Sequence, residues 1–200
     1  SLKKYKNTKP MLTPRFIPSC TDELLTFLGR FQKKYHVPVQ SHLSENLSEI
    51  AWVRELCPYS SDYGEAYEHF GLFGGNAPTV MAHGVWPGKR EFARIKERGV
   101  YIAHCPQSNT NIASGIAPVR QYLDAGIHIG LGSDVAGGSS DSIFRAMLDA
   151  IQVSKLRWRL ITQDDAPITL DEAFYMATAG GGEFFGKVGK FEEGYEFDAV

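Results

Sequence analysis

Three apolar runs in this chain each end on a side chain that binds divalent metals, and this recurrence constrains the fold more than any other feature. The runs over 37–42, 80–83 and 127–134 close on His42, His83 and Asp134, and a polar or glycine-rich turn follows each. Val37, Val39, Val80, Met81, Ile127 and Ile129 give these segments the near-continuous apolar character of strands buried on both faces. Between the runs lie stretches long enough for crossover helices, so the pattern predicts a parallel sheet of successive βα units. Side chains at the carboxyl ends of such strands converge above the sheet.

The remaining segments fit the same alternation. A first strand is expected from about Lys9 to Phe16, then an amphipathic helix after Thr21, a residue suited to accept the first free amides. Leu24, Leu28, Phe31 and Tyr35 recur there at helical spacing. Helical segments are expected near 46–56 and 62–70, from Pro87, near 117–125, over roughly 141–160, and from Thr169 to about Phe185. Val100–His104 reads as a strand and Cys105–Asn111 as a polar loop. Five strands with interleaved helices predict an α/β fold, a (β/α)8 barrel seen through its central and C-terminal units. A whole barrel needs about 250 residues, and the chain has 200, so it is expected to be truncated at both ends. Residues 1–186 are assigned to the barrel, and 187–200 to a turn entering another strand.

Composition narrows the partners. A net charge of −2 offers no electrostatic footprint for nucleic acid or an anionic membrane surface. No apolar run approaches the roughly 20 residues that span a bilayer. Cys20, Cys57 and Cys105 are odd in number and lack Cys-x-x-Cys spacing, which argues for reduced, cytoplasmic surroundings and against a thiolate zinc site.

Imidazole and carboxylate are good ligands for Zn²⁺ and also for Fe²⁺. His42, His83 and Asp134 hold the same relative place in their βα units, which marks them as one candidate metal site. Glu45, three residues after His42, can fold back beside the ion and move protons; as a first-turn helix carboxylate it would look the same. The glycines around Asp134 allow a tight turn but form no dinucleotide fingerprint. Arg15 and Phe16 offer a guanidinium and a ring suited to a planar, carbonyl-bearing ligand. His104 and Asn109 either line the pocket or stabilise their loop, and His36, His69 and His128 read as structural.

On these residues the chain resembles the guanine deaminases of the amidohydrolase superfamily. The matching stretches are Thr13–Pro14–Arg15–Phe16, Gln40–Ser41–His42–Leu43–Ser44–Glu45, Ala82–His83–Gly84, His104–Cys105–Pro106–Gln107–Ser108–Asn109 and the segment from Gly130 to Gly138. The resemblance implies that His42 and Asp134 bind zinc, and that His83 is either a ligand or the group orienting the attacking water. It implies Asp134 as base on that water, Glu45 as proton relay to a purine ring nitrogen, and Arg15 and Phe16 as contacts to the purine carbonyl and ring. With His42 they make up the expected substrate site. The implied reaction converts guanine and water to xanthine and ammonia, in a homodimer whose tail enters a small β-sandwich domain.

The family also places a His-x-His pair at the end of its first barrel strand, and this sequence has no such pair. The missing ligands are expected on a preceding segment, and the 200 residues alone are expected to be inactive. Two other readings remain: an amidohydrolase acting on another heteroaromatic ring (an adenosine derivative, cytosine or a triazine), or a barrel that binds a ligand without catalysis.

Overall fold

The computed structural model describes residues 8–75 and 77–198. Four strands, β1 (Val39–Leu43), β2 (Thr79–His83), β3 (Tyr101–His104) and β4 (Ile129–Leu131), form one parallel sheet in sequence order. The register sets Leu43 beside His83 and His104 beside Leu131, so the strands finish at a common end. Val39, Leu43, Met81, Ile102 and Ile129 lie fully or almost fully buried, packed against helix residues such as Leu25, Tyr67, Ile95 and Tyr122.

Helices follow the strands and close their outer face. The first, α1 (Asp22–Tyr35), opens on Thr21, whose hydroxyl accepts from the Leu24 amide at 3.3 Å. It ends at His36, which adopts a left-handed conformation with φ 52°. After β1 come α2 (Leu47–Leu56) and α3 (Tyr63–His69), and α4 (Lys89–Glu97) follows β2. Next are α5 (Pro106–Asn111), α6 (Val119–Asp124), α7 (Ile143–Leu160) and α8 (Leu170–Tyr175).

Three expectations change. The first strand shrinks to one parallel bridge, Leu12 to Val39, because Pro10 and Pro14 flank it and supply no ladder donors. Among the described residues four strands form instead of five. The polar stretch after His104 is helix α5, opened by Pro106, a residue whose fixed φ suits a first helical turn. The helix expected from Thr169 to Phe185 changes its winding: α8 gives way to a π-helical turn over Met176–Gly180 and a 3₁₀ turn over Glu183–Phe185. The change falls where Gly180 presses on β4; a Cβ there would sit 2.5 Å from the Ile129 carbonyl oxygen.

Residues 187–198 form turns closed by the Glu196 amide on the Lys187 carbonyl at 2.9 Å; Ala199 and Val200 lie outside the described residues. Among the described residues, no helix is long and apolar enough to cross a membrane. The three cysteines are free.

Candidate metal centre

The site assembles at the shared carboxyl end of the strands. Its first wall is the segment Pro14–Arg15–Phe16, pinned against β1 by Ser41. The Ser41 hydroxyl reaches the carbonyls of Pro14 and Arg15 at 2.8 and 3.0 Å, and His42 Nδ1 lies 2.6 Å from the same Arg15 oxygen. A carbonyl only accepts, so Nδ1 of His42 is the donor in this contact. The Arg15 guanidinium lies 5.3 Å from the centre of the Phe16 ring, and that ring meets His42 and Trp52 edge-on. A cavity of about 280 Å³ opens beside Phe16, Glu45, Glu49 and Trp52.

β2 delivers His83, which is 1% exposed. Its ring stacks on that of His42 with centroids 5.1 Å apart. Nδ1 of His83 lies 2.8 Å from Oδ1 of Asn109, and its Nε2 is buried and without a hydrogen-bond partner. The Glu45 carboxylate stands 3.6 Å from this nitrogen. Ligand atoms of His83, Asp134 and Cys105 lie within 4.8 Å of one another. The buried Nε2 of His83, with the Asp134 carboxylate in the same cluster, offers nitrogen and oxygen donors of the kind a divalent cation takes.

The backbone is bent to achieve this. His83 has φ 76°, Asp134 φ 46° and Ser44 φ 46°, all left-handed and all at strand exits. Such conformations cost roughly 1–3 kcal/mol each in non-glycine residues and cluster where side chains must be aimed. The exits also hold one another: Gly84 N donates to the Leu43 carbonyl at 2.9 Å, and Val85 and Trp86 donate to that of Ser44.

The structure thus gathers Arg15, Phe16, His42, Glu45, His83 and Asp134 at one end of the sheet. His42 is joined to the group through its stacked ring rather than as a member of the His83–Cys105–Asp134 cluster. Cys105 was not anticipated. Burial, and then the charge of Asp134, push its thiol up to about 12, and its sulfur sits 3.4 Å from the Ala103 carbonyl. His104 is equally buried, with neither nitrogen partnered; burial, then the nearby His83, pull it down to about 3, so it is neutral. His128 stacks on Tyr101 and contacts Glu183, and His69 packs between Tyr59 and Phe70, in keeping with structural roles.

Sequence reasoning did not reach the residues that support Glu45. The Glu45 amide donates to Glu49 at 3.1 Å, Ser114 donates to its carboxylate at 3.0 Å, and buried Glu91 accepts from the adjacent Ser44 hydroxyl at 2.6 Å.

Known proteins share this architecture. The model of the amidohydrolase family matches residues 2–200. A guanine deaminase of Dictyostelium discoideum is 42% identical over 96% of this chain and 42% of its own length. The crystal structure of a guanine deaminase from C. acetobutylicum with guanine bound superposes with TM-score 0.93 at 53% identity, over 98% of this chain and 48% of that one. A zinc-complexed atrazine chlorohydrolase from Arthrobacter aurescens superposes with TM-score 0.79 at 26% identity, over 96% and 43%. The chain spans less than half the length of the curated relatives it matches.

Proposed function

Since the chain belongs to the amidohydrolase family, we propose that it carries the central and carboxyl-terminal barrel units, and with them part of the active site, of a metal-dependent guanine deaminase. The observation that carries this reading is the Glu45 carboxylate facing the unpartnered Nε2 of His83 at 3.6 Å, with Asp134 in the same cluster and Arg15 and Phe16 at the wall. The similarity to a guanine deaminase with guanine bound supports the choice of substrate.

His42 through Nε2 and Asp134 through its carboxylate would hold the ion, with His83 either completing the set or orienting the attacking water. We take the ion to be zinc, with Fe²⁺ the alternative, on the strength of the donor set and the zinc in the Arthrobacter relative. When bound, such an ion acts as a Lewis acid that brings the acidity of a water close to neutrality. Asp134 accepts a proton from the attacking water. Glu45 passes a proton to a purine ring nitrogen. Asp134 returns the proton taken from water to the amine, which leaves as ammonia, and Glu45 recovers a proton from the added hydroxyl as the new carbonyl forms. Arg15 donates to the purine carbonyl, and Phe16 covers the ring face. The net change is guanine plus water to xanthine plus ammonia.

In the same reading the protein is a cytoplasmic homodimer, and residues 187–200 lead into a small β-sandwich domain. Sedimentation of the full-length protein tests the dimer. Ammonia release from guanine, adenine and cytosine by the full-length, metal-loaded protein tests the substrate: guanine should turn over fastest by at least tenfold. Equal or lower activity on guanine than on either alternative would overturn it.

A further inference from the structure

Glu45 leaves the strand end on a flexible side chain, yet a proton relay must be held still. Its Oε1 accepts from the Ser114 hydroxyl at 3.0 Å, which leaves Oε2 to face His83. Ser114 lies far along the chain, between α5 and α6, and is only 3% exposed. Its backbone is fastened on both sides. The amide donates to the Asn109 carbonyl at 2.8 Å, and the carbonyl accepts from the Trp86 indole at 2.6 Å. Gly115, at φ 127°, lets the Trp86 ring lie close, since a Cβ would come within 2.7 Å of it. Asn109 appears twice here: its side chain fixes His83 and its backbone fixes Ser114.

We propose that Ser114 is a positioning residue for Glu45, and that the brace of Asn109 and Trp86 behind it keeps the proton relay aligned with His83. The inference rests on the functional reading above and names a residue that acts through Glu45 without touching substrate. A hydrogen bond from a hydroxyl to a carboxylate fixes one torsional state of an otherwise mobile side chain. Misplacement of a reacting group by about 1 Å can cost about 10²-fold in rate.

The test uses full-length, metal-loaded protein with guanine as substrate. Ser114→Ala should lower kcat by about 10–100-fold, with KM within about twofold and metal content unchanged. Ser114→Thr, which keeps the hydroxyl, should restore most of the rate. If Ser114→Ala does not purify folded, Ser114→Cys carries the same expectation, because it keeps the volume and replaces a strong donor with a weak one. In a Glu45→Gln background, Ser114→Ala should change the residual rate less than about twofold, as expected for residues that work as a unit. A Ser114→Ala rate matching the unaltered protein, or an undiminished loss in the Glu45→Gln background, would overturn the assignment alone. No ammonia from guanine by the unaltered protein would instead overturn the functional reading and the assignment with it.

Discussion

Oε2 of Glu45 lies 3.6 Å from Nε2 of His83, although the two residues leave different strands. The gap is too long for a hydrogen bond and leaves the carboxylate and the ring nitrogen facing one small space. Nδ1 of His83 is held by Asn109 and Oε1 of Glu45 by Ser114, so both groups are aimed from behind.

If Glu45 moves protons and does not bind the ion, Glu45→Gln should leave the metal in place. Turnover should fall by about 10²–10⁴-fold, the range supplied by positioned acid–base groups. Metal analysis and steady-state ammonia release check both halves. An unchanged rate removes Glu45 from the mechanism.

Asp134 presents the carboxylate of the candidate metal cluster from a left-handed backbone position. Asp134→Ala should lose both metal and activity, and chelation of the unaltered protein should abolish activity until zinc is restored. Full metal retention in the variant would show that Asp134 is not a ligand.

Glu91 accepts from the Ser44 hydroxyl at 2.6 Å and from the Gly64 amide at 2.8 Å, and is 2% exposed. Burial raises its carboxyl from 4.5 to about 7; the nearby Asp62 and Glu49 charges add to this, while the two hydrogen bonds oppose it. A group that binds its proton more tightly when folded adds stability below the unfolded value and loses it as pH rises through the folded one. The structure should therefore lose about 3 kcal/mol of stability from this group between pH 4.5 and about 7. Glu91→Gln should flatten that slope in thermal unfolding curves of the full-length protein. An unchanged slope would contradict the assignment.

Gly29 lets α1 lie directly on the turn after α3, since a Cβ there would run into the Phe70 carbonyl. Gly29→Ala should destabilise the protein by roughly 1–3 kcal/mol, the usual cost of overpacking, with kcat unchanged because the contact is remote from the strand ends. Denaturant titration together with the ammonia assay separates the two effects.

Much of this was legible in the sequence because it depends on short-range pattern. Apolar runs ending on His42, His83 and Asp134 announced parallel strands, and Thr21 announced the start of α1. The first strand failed because apolarity around Leu12 could not outweigh the donors lost at Pro10 and Pro14. Helix α5 was hidden, since a proline and five polar residues carry no apolar period. The contacts behind the site were beyond reach for another reason: Ser114–Glu45 and Glu91–Ser44 join residues distant in sequence, and only the folded chain brings them together. The left-handed turn at His83, which aims its ring, likewise has no local signature beyond Gly84.

In the proposed function, His42, His83 and Asp134 surround one divalent cation with Glu45 beside it. An anomalous-scattering map at the zinc edge, from crystals of the full-length protein, tests this most directly. It should show a single peak at about 2.0–2.2 Å from His42 Nε2 and an Asp134 oxygen, ordinary zinc–ligand distances, with Glu45 outside the coordination sphere. An ion held by Cys105 with His42 left out, or no peak among these side chains, would contradict it.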